Sequence, residues 1–342
     1  MSDNKEHRVR EEAFRRNPDL ERLLQELNSL LAPVQAGIAD RFKQPKRPVL
    51  LVVGSPRSGT TLMLQWLASL GHFAYPTNLL SRFYAAPYVG ALIQRMLTDP
   101  QLNFRDEFRD IRDSTFSFES NLGKTTGLMA PHEFWYFWRR FFAYGERHWF
   151  NEAELARVDG NGFASELASL EAAFEAPLAL KAMIVNCNIR FVAELLETSI
   201  FVYVRRRPFY NIQSLLKARR DYAGSVEEWY SFRPREYQEL KNLDPVHQVA
   251  GQIYYLNRAI EDELAALPES RKLVVDYERF CEAPEATYRE LAEKCGSVGE
   301  ALPSVYEGCG NFKLSNRVDV DEREARDIER AYAEFSGMEA RP

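Results

Sequence analysis

One stretch constrains this chain more than any other. Five apolar residues, 49–53, run directly into Gly54-Ser-Pro-Arg-Ser-Gly59-Thr-Thr61, and a helical pattern follows over 60–70. Glycine lets a backbone turn sharply and aim its N–H groups inward. A helix that starts at such a turn adds unpaired N–H groups and the positive end of its dipole. Strand, glycine-bounded turn and helix N-terminus together make a cradle for an anion such as phosphate.

Further apolar runs at 178–185, 200–204 and 272–275 read as strands, each followed by a helical pattern, at 189–196, 208–219 and 284–294. Such alternation implies crossover connections, hence an α/β fold of three α/β/α layers around a mostly parallel sheet. Residues from about 72 to 177 carry aromatic and helical patterning without a clear strand. They predict a helical insertion over the C-terminal edge of the sheet, where such folds bind ligands. Near the start, Asn17-Pro18 combines a capping side chain with a proline suited to a first helical turn. Leu20, Leu23, Leu24, Leu27, Leu30 and Leu31 then recur at helical spacing, which predicts an amphipathic helix over 18–32. The Pro-containing break at 43–48 divides the chain into an N-terminal helical extension, 1–47, and a main domain, 48–342.

The glycine-bounded loop is close to a Walker A loop but departs from it in chemistry. A Walker loop has Lys immediately after its second Gly and uses the next hydroxyl on Mg²⁺. Here Thr60 takes the Lys position, and the cation, Arg57, stands two residues before Gly59. Backbone amides and the hydroxyls of Ser58, Thr60 and Thr61 suit a phosphate, but the ammonium that spans a triphosphate is missing. A single phosphoanhydride partner fits better than ATP. A second cationic site follows the strand near 199–204, which ends in Arg205-Arg206-Arg207-Pro208. Three adjacent cations repel one another unless solvated or facing an anion. Pro208, Asn211 and Ser214 fall on one face of the helix that follows. A guanidinium binds phosphate bidentately, and a hydroxyl adds a donor.

The string Pro56-Arg57-Ser58-Gly59-Thr60-Thr61 resembles the 5′-phosphosulfate loop of sulfotransferases that use 3′-phosphoadenosine 5′-phosphosulfate (PAPS). Arg206, followed eight residues later by Ser214, resembles the 3′-phosphate motif of that family. The resemblance extends to Leu180-Lys181 and to residues 272–278, and loosely covers 48 to about 296. It implies a P-loop fold and in-line transfer of a sulfuryl group from PAPS to a hydroxyl-bearing acceptor, with no metal required. It also implies donor contacts from Arg57, Ser58, Gly59, Thr60, Thr61, Arg206 and Ser214. By analogy with phosphoryl transfer, Arg57 with the amides of 58–61 is the choice to stabilise charge on the leaving oxygen, and by the resemblance Lys181 assists. Family members often close over the 3′-phosphate with a basic late segment; the usual Arg-Lys-Gly is missing here, and Lys313 and Arg317 are the candidates in its place.

The general base is where the chain departs from part of the family. Cytosolic members that act on small phenols and alcohols carry Lys-x-His after the central strand, whereas this chain reads Lys181-Ala182-Met183. Candidates lie in 130–140. Glu133, beside apolar rings, is placed for a raised pKa, and His132 titrates in the useful range unaided. A structural alternative has Pro131 opening a helix whose dipole Glu133 favours. The aromatics that follow Glu133 suit core packing of the inserted helix or, if exposed, a pocket for a lipid-like acceptor. His72 and His247 read as turn and helix-face residues.

Composition excludes several classes. The 44 basic and 50 acidic residues give a net charge of −6, against broad binding to nucleic acid or anionic membrane. With 45% hydrophobic residues a sizeable core is available. The four cysteines form no CxxC pair and have no His cluster beside them, which speaks against zinc and for reduced thiols. The charged N-terminus has no apolar signal-peptide core, and the run 49–53 is far short of the ~20 residues that cross a bilayer. A soluble, cytoplasmic enzyme is the expectation. Two other readings stay open. Residues 272–276 mimic a Walker B strand ending in Asp276, as a P-loop kinase or NTPase would have, although Asp276 more simply caps the next helix. The missing histidine also fits a scaffold that binds the bisphosphate without turnover. Neither the acceptor nor the oligomeric state is legible.

Overall fold

The computed structural model describes residues 15–102, 105, 107 and 117–338. Parts of the 1–47 extension and of the 72–177 insertion therefore lie outside the described residues. Four strands form the sheet: β1 (Val49–Val53), β2 (Leu178–Lys181), β3 (Ser199–Arg205) and β4 (Lys272–Asp276). They are all parallel, in the order β2-β1-β3-β4. Every residue of β1 is buried, as a central strand covered on both faces requires.

Alternation along the strands feeds two separate cores. Val49, Leu51, Val53, Leu180, Phe201 and Tyr203 face one side, against the helices Trp135–Phe141, Gly160–Phe174 and Ile189–Leu195. Leu50, Val52, Ala179, Ile200, Val202 and Val204 face the other, against Thr60–Ser69, Tyr277–Glu282 and Pro284–Ser297. Each Val, Leu, Ile or Phe among them is worth about 1.5–3 kcal/mol relative to exposure. The three α/β/α layers follow from that division. A third apolar cluster joins Pro208–Ala223, Pro245–Ala265 and Glu322–Met338.

Several boundaries differ from the sequence reading, each for a local reason. β2 stops at Lys181 instead of running to 185, because residues 183–185 turn into a short 3₁₀ helix. That turn carries the Asn186 side chain back to Gly54. The first helix continues through Pro33 to Ile38; Gln35, in its last turns, is buried and accepts from the Tyr88 N–H. Pro131 opens no helix. Residues 128–132 turn and dock on 76–79, with Asn78 and Leu79 donating to the carbonyls of Ala130 and Leu128 and Pro131 bridging Thr77, and the helix begins at Trp135. Its aromatics pack inward: Phe134, Phe137, Trp138 and Phe142 are buried, so this run is core and no lipid-facing surface.

Strand order decides the position of the site. β1 lies between β2 and β3, so the loop after β1 has Lys181 at the end of one neighbour and Arg205–Arg207 at the end of the other. The connections from β1 diverge at this point, the place where open α/β sheets leave a crevice.

Candidate active site

The loop between β1 and the helix Thr60–Ser69 is clamped from both sides by buried amides. Asn186 donates Nδ2 to the Gly54 carbonyl at 2.8 Å and accepts from the Gly54 N–H at 3.3 Å. Asn211 donates Nδ2 to the Pro56 carbonyl at 2.6 Å and accepts from Ser55 Oγ at 3.0 Å. Both glycines are needed. A Cβ on Gly54 would lie 2.6 Å from the Val204 carbonyl oxygen, and Gly59, at φ 106°, would drive one into the Tyr277 ring. Arg57 takes φ 67°, a left-handed conformation that costs a residue with a side chain of order 1 kcal/mol or more. Ser58 Oγ is buried with no hydrogen-bond partner among the described residues. A buried, unpaired hydroxyl beside a helix N-terminus fits an anion with oxygens to share.

The two cationic motifs meet. Arg57 Nε donates to Ser214 Oγ at 3.2 Å, and Arg206 Nη1 donates to the Arg57 carbonyl at 3.2 Å. Arg206 also lies over the Tyr277 ring, 4.9 Å from its centroid. The late segment reaches Arg206 as well, through residues other than the two basic ones expected. Arg206 Nε donates to Asn316 Oδ1 at 2.8 Å, and Nη2 donates to the carbonyl and hydroxyl of Ser315. Ser315 Oγ in turn meets the Tyr277 hydroxyl at 2.8 Å. Lys313 is exposed, and the largely exposed Arg317 pairs with Asp319.

On the other flank, Lys181 gathers the remaining polar candidates. Its Nζ donates to Thr61 Oγ1 at 2.9 Å and to Glu133 Oε1 at 2.6 Å. The lysine side chain is only 7% exposed and the glutamate 42%, so Glu133 is the partner open to solvent. Thr60, the other hydroxyl of the loop, is turned inward toward Met183 Sδ at 3.4 Å. The cluster therefore joins the loop to one carboxylate through one ammonium.

His132 stands beside Glu133 but is committed to the backbone. Its Nδ1 accepts from the Phe134 N–H at 2.9 Å and holds that residue at φ 53°. Burial lowers its pKa to about 4; Glu133 opposes this weakly and Arg82 adds to it. The imidazole is thus neutral near pH 7 and serves as an anchor for the turn. The folded state resists a proton that the unfolded chain takes near pH 6.5. Stability from this source is complete above that pH and is lost as pH falls toward 4, by up to about 3 kcal/mol. Thermal melts of wild type and His132→Asn between pH 4 and 7 check this: the variant should lose less stability across that window.

Asp276 does not cap the following helix. Its carboxylate pairs with Arg205 across the β3–β4 edge. Of the residues named from the sequence, Arg57, Ser58, Gly59, Thr60, Thr61, Arg206 and Ser214 come together around the loop, and Lys181 with Glu133 adjoins them through Thr61. Asn186, Ser315 and Asn316 were missed, and Asn211 and Tyr277 were named only by position, on the helix face of Ser214 and within 272–278. An Asn spaced more than a hundred residues from its partner leaves no local signal; the Tyr277-Glu278 pair after an apolar strand was the nearest hint.

A parallel three-layer α/β/α domain with a glycine-bounded loop between its central strand and the next helix defines the class. Residues 48–298 match the model of the Sulfotransferase family, and the chain belongs to that family. No curated protein matches it significantly. Among solved structures, sulfotransferase STF9 from Mycobacterium avium is 16% identical, with a TM-score of 0.50 over 93% of this chain and 78% of that one. The sulfotransferase domain of the Synechococcus PCC 7002 olefin synthase is 16% identical, with a TM-score of 0.40 over 86% of this chain and 96% of that one. At this identity the likeness to STF9 is one of fold. Among the described residues no helix is long and apolar enough to cross a membrane.

Proposed function

We propose that this chain transfers the sulfuryl group of PAPS to a hydroxyl of its acceptor. The observation that carries the reading is the direct contact of the two cationic motifs, with Arg206 bonded to the Arg57 carbonyl and Arg57 to Ser214. One nucleotide with phosphates at its 5′ and 3′ positions can bridge such a pair. In this reading the amides of 58–61 and the orphan Ser58 hydroxyl hold the 5′-phosphate, Arg206 and Ser214 hold the 3′-phosphate, and Tyr277 offers a ring beside them. Arg57 meets the charge that develops on the leaving oxygen, where preorganised donors act most strongly. Lys181, in contact with Thr61, supports the same charge, and Glu133 takes the acceptor proton.

The kinase alternative loses support because the loop has no Lys after Gly59 and Asp276 is engaged by Arg205. The bisphosphate-binding scaffold is disfavoured by Glu133, a carboxylate held beside the loop in place of the missing histidine. Calorimetry separates the first pair. Adenosine 3′,5′-bisphosphate should bind more tightly than ATP·Mg²⁺, and Arg206→Ala should weaken the bisphosphate by about 30-fold or more, the usual cost of removing one partner of a buried charged pair. Preference for ATP would sink the assignment. Transfer from radiolabelled PAPS to an acceptor panel decides against the scaffold.

A further inference from the structure

The helix Pro18–Ile38 takes no role in the proposed reaction, and its packing is inverted. The face turned to the protein is largely polar. Buried Asn28 donates Nδ2 to the Arg82 carbonyl at 2.8 Å and accepts from the Ala85 N–H at 2.7 Å. Buried Gln35 accepts from the Tyr88 N–H at 3.1 Å, and half-buried Glu21 accepts from the Tyr136 hydroxyl at 2.6 Å. Of Leu20, Leu23, Leu24, Leu27, Leu30 and Leu31, only Leu24 is buried. A helix on the surface of a domain ordinarily turns its apolar stripe to the core and its polar groups to water.

The outward-facing residues keep a register. Leu20, Leu23, Leu27, Leu30 and Val34 follow one another at intervals of three and four, the a and d positions of a heptad, over about 21 Å of helix. Leu27 is half-buried; the other four are between 37% and 70% exposed among the described residues. On the neighbouring helix Pro87–Thr98, Leu92 and Met96 follow Tyr88 at four-residue intervals, and Tyr88 is where Gln35 docks. That spacing carries the stripe from one helix to the next. Leu92 and Met96 are 44% and 55% exposed.

We propose that this stripe is the contact between two copies of the chain, related by a two-fold axis that lays Pro18–Ile38 of one against the same helix of the other. A heptad seam is complementary to a helix of like spacing, whose side chains enter its holes, and a two-fold axis supplies that helix from the same surface. The area is sufficient. The six exposed side chains leave the equivalent of about three whole ones in water, about 200–400 Å² of carbon surface per copy at the area that transfer energies imply. Two copies bury twice that, and with apolar atoms rather more than half of an interface, the total is about 700–1,400 Å². A specific contact needs about 1,000 Å², so the pairing is of modest, micromolar strength. Charge favours protein over lipid as the occupant. Residues 15–38 carry Arg15, Arg16 and Arg22 against Asp19, Glu21 and Glu26, and so lack the basic excess that draws an amphipathic helix to anionic membrane.

Analytical ultracentrifugation of the full chain from about 1 to 500 µM tests this, a range that spans micromolar dissociation constants. A species of twice the 39.6 kDa chain mass should build up with concentration. Leu30→Glu, and separately Leu23→Ala combined with Leu30→Ala, should weaken the association by about 30-fold or more, as loss of a central contact does. Circular dichroism at the lowest concentration should show wild-type helix content in both, because these side chains are exposed in the single copy. Alanine is the best helix former, so the double variant reports on the contact even where the glutamate disturbs the helix. A chain that stays at 39.6 kDa throughout overturns the proposal, as does a dimer that the folded variants leave intact. Sedimentation of a monomeric wild type, but not of Leu30→Glu, with phosphatidylcholine–phosphatidylserine vesicles assigns the stripe to lipid and overturns it too.

Discussion

Glu133→Gln should lower the rate of sulfuryl transfer by about 10² to 10⁴-fold, the usual contribution of a general base, while bisphosphate affinity changes little. The substitution keeps the size of the side chain and a carbonyl oxygen that can still accept from Lys181. What it removes is the ability to take a proton. Glu133 is suited to that role by position: its Oε1 is 2.6 Å from Lys181, which also touches Thr61 of the loop, yet the carboxylate is 42% exposed and reachable by an acceptor. Its neighbour His132 has spent its Nδ1 on the Phe134 N–H and resists protonation. Single-turnover transfer from radiolabelled PAPS, measured beside bisphosphate calorimetry, gives the answer. A rate within a few-fold of wild type would remove Glu133 as the base. A parallel loss of bisphosphate binding would show that the variant had disturbed the loop instead.

Arg57→Ala should reduce transfer by about 10² to 10³-fold, the loss expected on removing one donor from a charge-stabilising site. Bisphosphate affinity should fall only a few-fold, because the loop amides, Ser58, Arg206 and Ser214 remain. The geometry underlies this asymmetry. Arg206 bonds to the carbonyl of Arg57, which alanine retains, and the clamps from Asn186 and Asn211 act on Gly54, Ser55 and Pro56. The guanidinium donates to one neutral group, Ser214 Oγ, among the described residues, so its charge has no carboxylate partner there. Arg57→Lys should restore part of the rate by returning the charge without the planar fork. Equal losses in rate and in affinity would place Arg57 in donor binding alone.

These two expectations rest on groups of unequal legibility in the sequence. Arg57 was visible because it lies inside a strand–turn–helix string whose chemistry is local: glycines at the two tight points, hydroxyls and a cation between them. Arg206 and Ser214 were visible for the same reason, a strand end and one face of the next helix. Glu133 could be named only as one of two neighbours, because nothing local distinguishes a carboxylate facing a site from one that merely favours a helix dipole. The contacts of Lys181 with both Thr61 and Glu133 are what support Glu133 over His132 in the proposed role. Lys313 and Arg317 illustrate the opposite case. Their charge suggested a role, but the contacts to Arg206 come from the uncharged Ser315 and Asn316, since an exposed cation is better solvated than turned toward another cation.

The sequence by itself determined what depends on neighbours along the chain: four apolar strands, the helices after them, the parallel α/β class and the two strings, 54–61 and 205–214, that carry the cations and hydroxyls. Periodicity and turn chemistry act over a few residues, so they survive without the fold. Tertiary structure alone decided what depends on strand order. Placing β1 between β2 and β3 brought Lys181 and Arg206 to opposite flanks of one loop, set Asn186 and Asn211 as its clamps, and turned the aromatic run after Glu133 into core. Those pairings join residues far apart in the chain, held by packing that no local pattern encodes.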